Sequence, residues 1–217
     1  MPGSSLALDG EGMRGHGCSM KQLGLAMLCL AMLLPAVSAQ TVVPPAVVKS
    51  AMASVEELGK KVVNSDYMAA IDSMYPQWKE RMAKRKGGMK KLEEELAGIG
   101  ELMARNGVQI ISFKVSGAPK TYEVWPGDRA GAAEGEINYT KWLLLIPTVT
   151  QFRIFHDESP KGTVINTYGF QVAIADKGKD NWTFIDGSDL SVSDLRSLFI
   201  TLPANMELPP IKREEAE

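Results

Sequence analysis

From residue 44 onward the apolar residues keep first one period and then another. Val48, Met52, Val55, Leu58 and Val62 recur three and four apart after Pro44-Pro45, with Lys49, Glu56, Glu57 and Lys60 between them. That spacing predicts an amphipathic helix. Asn64-Ser65-Asp66 offers a fresh N-cap cluster, and a short second helix follows with Tyr67, Ala70, Ile71 and Met74 on one side. Pro76 suits the first turn of a third helix, which runs through Trp78 and Met82 to the break at Gly87-Gly88. Met89, Leu92, Leu96, Ile99 and Met103 predict one further helix, ending at Asn106-Gly107. Gly98 and Gly100 weaken it by about 1 kcal/mol each relative to alanine, and their small size suggests a close crossing against a sheet.

Beyond Gly107 the period becomes two. Ile111, Phe113 and Val115 alternate with Ser112 and Lys114, and Gly117-Ala118-Pro119 turns the chain into a second strand over Thr121–Trp125. Residues 126–135 are a loop by composition. A long strand is expected from Ile137 through Ile146. Pro147, which has no N–H for a ladder, then implies a bulge, a bend or an edge position before pairing resumes over Thr148–His156. Residues 158–162 turn back into a strand over Thr163–Ala175. Asp176–Asn181 reads as a hairpin turn with Gly178 free to take positive φ. Ser191-Val192-Ser193-Asp194 fits a capping box for a last helix that docks Val192, Leu195, Leu198 and Phe199. Helices first, then a mainly antiparallel meander, then one short helix make an α+β domain, and Pro147 in the longest strand suits a strongly curved sheet wrapped round helices.

The N-terminal residues change the picture of where this domain works. Lys21 precedes an apolar run from Leu23 to Leu34, followed by Pro35 and the small-residue motif Val37-Ser38-Ala39. This is the pattern of a secretory signal peptide cleaved after Ala39. The run falls short of the about 20 residues a transmembrane helix needs. Met1, Met13 and Met20 are alternative translation starts. The chain therefore divides into a signal peptide (1–39), a linker and first helix (40–61), a single α+β domain (62–209) and a charged tail (210–217). Cys18 and Cys29, the two cysteines, both lie in the removed segment, so the exported chain has no thiol, disulfide or cysteine metal site.

Charge excludes some partners. The formal net charge is −2, and it is unchanged by cleavage because Asp9, Glu11, Arg14 and Lys21 cancel. That balance argues against nucleic acid and against an obligate membrane-surface protein. One of the two histidines, His16, leaves with the signal segment, so multi-histidine metal sites are impossible. No dinucleotide, phosphate-loop, zinc-protease or serine-hydrolase motif occurs in the mature chain, and no cofactor is implied.

Three stretches carry a resemblance. Asp66–Pro76 is a helix ending in a Tyr-Pro step, Gly88–Gly107 is a glycine-punctuated helix, and Lys177–Gly187 leads into the short helix ending at Phe199 and Leu202-Pro203. In this order they resemble the NTF2-like superfamily of SnoaL and ketosteroid-isomerase-like cone folds, in its uncharacterised exported bacterial branch, over Val62 to Pro209. The resemblance implies a hollow between a curved sheet and its helices, in a superfamily that includes isomerases, hydrolases and non-catalytic binding modules. No catalytic constellation of the superfamily maps onto these residues.

The candidate residues are few. His156, beside Asp157 and Glu158, is a possible general base, although a solvated strand-end histidine accounts for it equally. Asp72 would border the mouth of a cone, but a charge next to Ile71 on an amphipathic helix is ordinarily a surface group. Asn166 interrupts the apolar face of Val164, Tyr168, Phe170, Val172 and Ile174. It must therefore find a partner, either a ligand or a neighbouring strand through Thr150 or Arg153, or else point past the edge of the core. Tyr75, Trp78, Trp142, Tyr168 and Trp182 are candidates to line an apolar pocket or plain core residues. Lys79 to Lys91 holds Lys79, Arg81, Lys84, Arg85, Lys86, Lys90 and Lys91 against Glu80. It suits an anionic lipid or polysaccharide, or a solvated surface paired with Glu93–Glu95. The sequence thus supports three functions: a module binding a small apolar or amphipathic molecule, an isomerase- or hydrolase-like enzyme, and a protein that dimerises through its sheet.

Overall fold

Everything is arranged about one long antiparallel hairpin, β3 (Lys141–His156) and β4 (Ser159–Asp176), in register from Lys141 opposite Asp176 to Ile154 opposite Thr163. The computed structural model describes residues 42–126, 138–156 and 159–216. The predicted signal peptide and almost all of the 126–135 loop lie outside them. Before the hairpin come α1 (Pro45–Val63), α2 (Met68–Asp72), α3 (Pro76–Lys86), α4 (Met89–Ala97), α5 (Ile99–Arg105), β1 (Val108–Val115) and β2 (Lys120–Val124). After it come β5 (Thr183–Asp186), α6 (Val192–Leu198) and β6 (Lys212–Glu215). The result is an α+β fold with one open, six-stranded antiparallel sheet.

The hairpin has two halves with different neighbours. At its Lys141–Asp176 end, β2 flanks β3 and β5 flanks β4. At the other end β1 and β6 take those places. Pro147 falls where the outer partner of β3 changes. β2 pairs no further than Leu145 and β1 begins at Thr148, while the Pro147 carbonyl accepts from the Ser116 N–H at 2.8 Å. In an antiparallel strand a residue's N–H and C=O point the same way. The missing N–H of Pro147 therefore points into the seam between β1 and β2, where no ladder bond is lost, and β3 runs through it as one strand. Its first strand residue is Lys141, four positions later than the pattern of apolar residues suggested.

The Lys141–Asp176 half is buried on both faces. Leu143, Leu144, Leu145 and Ile146 are inaccessible, as are Val172 and Ala173. On one face Leu143, Leu145, Phe170, Val172 and Ile174 pack with Tyr75 and Trp78, with Leu195 and Leu198 of α6, and with Phe199. On the other, Trp142, Leu144, Ile146, Ala173 and Ala175 pack with Ala51 and Val55 of α1. A strand covered on both sides reads as a continuous apolar run, which is why residues 142–146 show no alternation. Each fully buried aliphatic side chain contributes about 1.5–3 kcal/mol, so this half carries most of the fold's stability.

Two further elements differ from their sequence patterns. The helix expected from Met89 to Met103 is two helices, broken at Gly98. Gly100 admits the Tyr67 ring, since a Cβ there would lie 2.8 Å from Tyr67 Cε2; the close approach is to Tyr67 rather than to the sheet. The charged tail contains β6, which extends the β4 edge over Ile165–Tyr168. Lysines and glutamates on an edge strand discourage pairing with another chain. Among the described residues no helix is long and apolar enough to cross a membrane.

Candidate functional site

The residues expected to share a pocket are dispersed. Trp78 is buried in the α3–α6 layer, with the guanidinium carbons of Arg81 and Arg85 5.8 and 5.4 Å from its ring centre. Trp142 sits on the opposite face of the sheet beside Trp182, with the Lys177 ammonium 4.7 Å from its ring. Asn166 and Tyr168 lie in the other half of the hairpin, half-buried. Asp72 is exposed on α2, and the His156 side chain lies outside the described residues. Tyr75 alone reaches a cleft.

That cleft is built where α3 begins against the sheet. Tyr75 donates its N–H to the Phe184 carbonyl at 2.9 Å, and Phe184 returns its own to the Ser73 carbonyl at 2.8 Å. These bonds fix residues 73–75 to the edge of β5. Pro76 at the first helical position holds Tyr75 extended, at φ −56° and ψ 124°. The Tyr75 ring is 4 % exposed and leans on Phe199, with ring centres 5.4 Å apart. Between Tyr75, Pro76 and Gln77 on one side and Lys141, Asp176 and Asn181 on the other is an opening of about 340 Å³, floored by Ile174 and Ala175 and bordered by Pro126 and Thr183.

Asp176 organises the polar wall. It opposes Lys141 in register and accepts its ammonium on Oδ1. Oδ2 accepts from Lys179 at 3.1 Å and from the Asn181 amide at 3.3 Å, and the Asn181 Oδ1 accepts the Asp176 N–H. Gly178, at φ 78°, closes the turn that brings Lys179 and Asn181 back. The Lys141 bond, with help from Lys179 and Asn181, holds the Asp176 carboxyl down at about 2. Burial, and secondarily the Asp176 charge, push the Tyr75 phenol up to about 12. At neutral pH the wall therefore presents a carboxylate that accepts from three donors, the Lys141 ammonium and a neutral phenol, with the Lys179 ammonium held on the same carboxylate outside the lining. A carboxylate so weakly basic is a poor proton acceptor. Among the described residues no cluster of histidine, cysteine, aspartate or glutamate is arranged to hold a metal.

Lys141, Asp176, Asn181 and Thr183 were not expected as site residues. Lys141 and Asp176 are far apart in the chain, and only the register of β3 on β4 joins them. The available signal was the charged residue at the outer end of each apolar run, Lys141 before residues 142–146 and Asp176 after residues 172–175.

A second surface lies at the β1–β6 end, on the Tyr75 side of the sheet. Ser112 donates to Gln151 Oε1 at 2.6 Å, and the Gln151 amide donates to Asn166 Oδ1 at 3.0 Å. Asn166 thus finds its partner directly across the ladder in Gln151, rather than in Thr150 or Arg153. Val149, Val164 and Tyr168 flank this row, half-buried, and the Lys212 ammonium stands 5.9 Å from the Tyr168 ring. Comparison with protein-family models, with curated proteins and with solved structures found no match to this chain.

Proposed function

We propose that the chain is an exported, non-enzymatic module that holds a small amphipathic anion in the Tyr75–Asp176 cleft. The observation that carries this is the meeting of Ile174 on the cleft floor with a wall in which the Asp176 carboxylate takes the Lys141 ammonium, while Lys179 pairs with the same carboxylate from outside the lining. Lys141, Lys179 and Asp176 together carry one net positive charge, with Lys179 outside the lining. The cleft's volume is at the small end of ligand pockets, about 300–1,000 Å³. An anionic head would meet Lys141 and Asn181, with the neutral Tyr75 phenol as a further donor and Lys179 adding its charge from outside the lining, and the tail would lie on Ile174 between Pro76 and Pro126. Export rests on the Lys21, Leu23–Leu34 and Val37-Ser38-Ala39 pattern. The proposal includes NTF2-like conical curvature, with α3 and α6 inside the curve. An experimental structure in which the two halves of the sheet lie flat would reject the cone. The binding itself is tested by melting the protein with octanoate and with octanamide. Octanoate is expected to raise the melting temperature in wild type and not in Lys141→Met. Equal stabilisation by the neutral amide, or an undiminished effect in the variant, rejects it.

A second reading, self-association through the half-buried face of β1, β3 and β4, is favoured by the Ser112–Gln151–Asn166 row with Val149, Val164 and Tyr168 around it. Tyrosine and arginine are favoured interface residues, and Arg153 adjoins the same row. Sedimentation showing only monomer at tens of micromolar rejects it.

A further inference from the structure

The tip of the α3–α4 hairpin is built against the grain of helix electrostatics. Lys84, Arg85 and Lys86 close α3, where cations favour the helix dipole, but Lys90 and Lys91 occupy the first turn of α4, where they oppose it. α4 has no acidic residue in that turn and no side-chain cap, since its N-cap is Gly88. All five of these cations are exposed. Among the described residues Arg85 is paired with Asp194, Lys86 with Glu95 and Lys90 with Glu94, while Lys84 and Lys91 have no carboxylate in salt-bridge reach. The Lys91 side chain folds back over the turn, its Nζ 3.5 Å from where a Gly87 Cβ would stand. Gly88 has open space beside it, and the next residue, Met89, is an exposed large hydrophobe at 36 %. A methionine at a glycine turn, flanked by lysines and followed one turn later by glutamates, makes an exposed, mixed apolar and basic tip.

We infer that this tip docks on an anionic lipid surface, with the lysines against phosphate head groups and Met89 entering the interface. Cations around an exposed apolar side chain match an anionic lipid interface, which offers both phosphate and an apolar layer, whereas a polysaccharide offers the charge without that layer. Basic residues near an anionic membrane add attraction individually and lose it with salt, and one exposed apolar side chain adds a small share of burial. The contact is weak and reversible, and independent of the Tyr75–Asp176 cleft.

The test is co-sedimentation of the mature chain with vesicles of phosphatidylcholine alone and of phosphatidylcholine mixed with phosphatidylglycerol. Binding is expected only to the mixed vesicles and should weaken as salt is raised. Lys84→Gln and Lys91→Gln should each lower the partition coefficient about fivefold, and Met89→Ser about threefold. All three positions are exposed, so unchanged melting temperatures confirm that the variants fold. Absence of binding to the mixed vesicles at low salt overturns the inference, as does equal binding to neutral vesicles. Undiminished binding in Lys84→Gln, Lys91→Gln or Met89→Ser also overturns it. Retention on a soluble polyanion without vesicle binding assigns the tip to a different partner.

Discussion

Replacing Gly59 by alanine tests how α1 is seated on the sheet, because two effects of opposite sign meet there. Gly59 is buried in the last third of α1. In an exposed helix interior the change to alanine stabilises by about 1 kcal/mol. Here an added Cβ would lie 1.9 Å from Phe113 Cδ1 and 2.4 Å from Cγ, on β1. Cγ sits one bond from the Phe113 Cβ, so the ring cannot swing aside at its far end; its χ1 must change or α1 must lift. Overpacking of this kind costs about 1–3 kcal/mol, and a contact this short belongs at the upper end. The net expectation is destabilisation by about 2 kcal/mol, seen in urea denaturation, with a melting temperature lower by about 4–8 °C for a domain of this size. Phe113→Val should relieve most of that cost, giving a coupling of about 2 kcal/mol in the double-mutant cycle. A rise in melting temperature for Gly59→Ala, or strict additivity with Phe113→Val, would show that α1 does not sit on Phe113.

Asp176 makes stability depend on acid. Its carboxyl stands at about 2 against an ordinary 3.8. The stability it adds is therefore complete above the unfolded value and is lost as pH falls through the folded one. The gap corresponds to about 2 kcal/mol, which screening at a side chain 31 % exposed reduces to about 1 kcal/mol. Asp176→Asn should lose that amount at neutral pH and flatten the stability curve between about pH 4 and pH 2; an unchanged acid limb would show that the Lys141 pair adds nothing. Ser191 caps α6 by accepting the Asp194 N–H at 3.0 Å, while Asp194 accepts the Ser191 N–H in return. Ser191→Ala should cost about 1 kcal/mol and speed amide exchange at Asp194; unchanged exchange would contradict the cap.

Local grammar was legible where neighbours in sequence decide the structure. The capping box at Ser191, the turn at Gly178 and the Pro76 start of α3 all stand where their residues imply, because each is settled within four or five positions. Parity was harder to read. Trp142 and Leu143 are adjacent, yet the sheet sends them to opposite faces, and with both faces covered the sequence has no polar alternation to say which goes where. That is why Trp78 and Trp142 were grouped in one pocket although the sheet separates them. Residues 210–217 were read as a charged tail because Lys212-Arg213-Glu214-Glu215 has no apolar residue to mark a strand; the chain uses those charges on an edge strand. The cleft stayed hidden for a third reason. Its wall joins Lys141 to Asp176 through the register of the hairpin, and register is a property of the whole sheet.

Amide spectra of the ¹⁵N-labelled chain, titrated with octanoate, most directly test whether the Tyr75–Asp176 cleft is the binding site. Saturating shifts are expected at Gln77, Ile174, Ala175, Asp176, Asn181 and Thr183, and they should vanish in Lys141→Met. Shifts that gather instead on β1, β6 or the α3–α4 tip, or no shifts at millimolar octanoate, would contradict it.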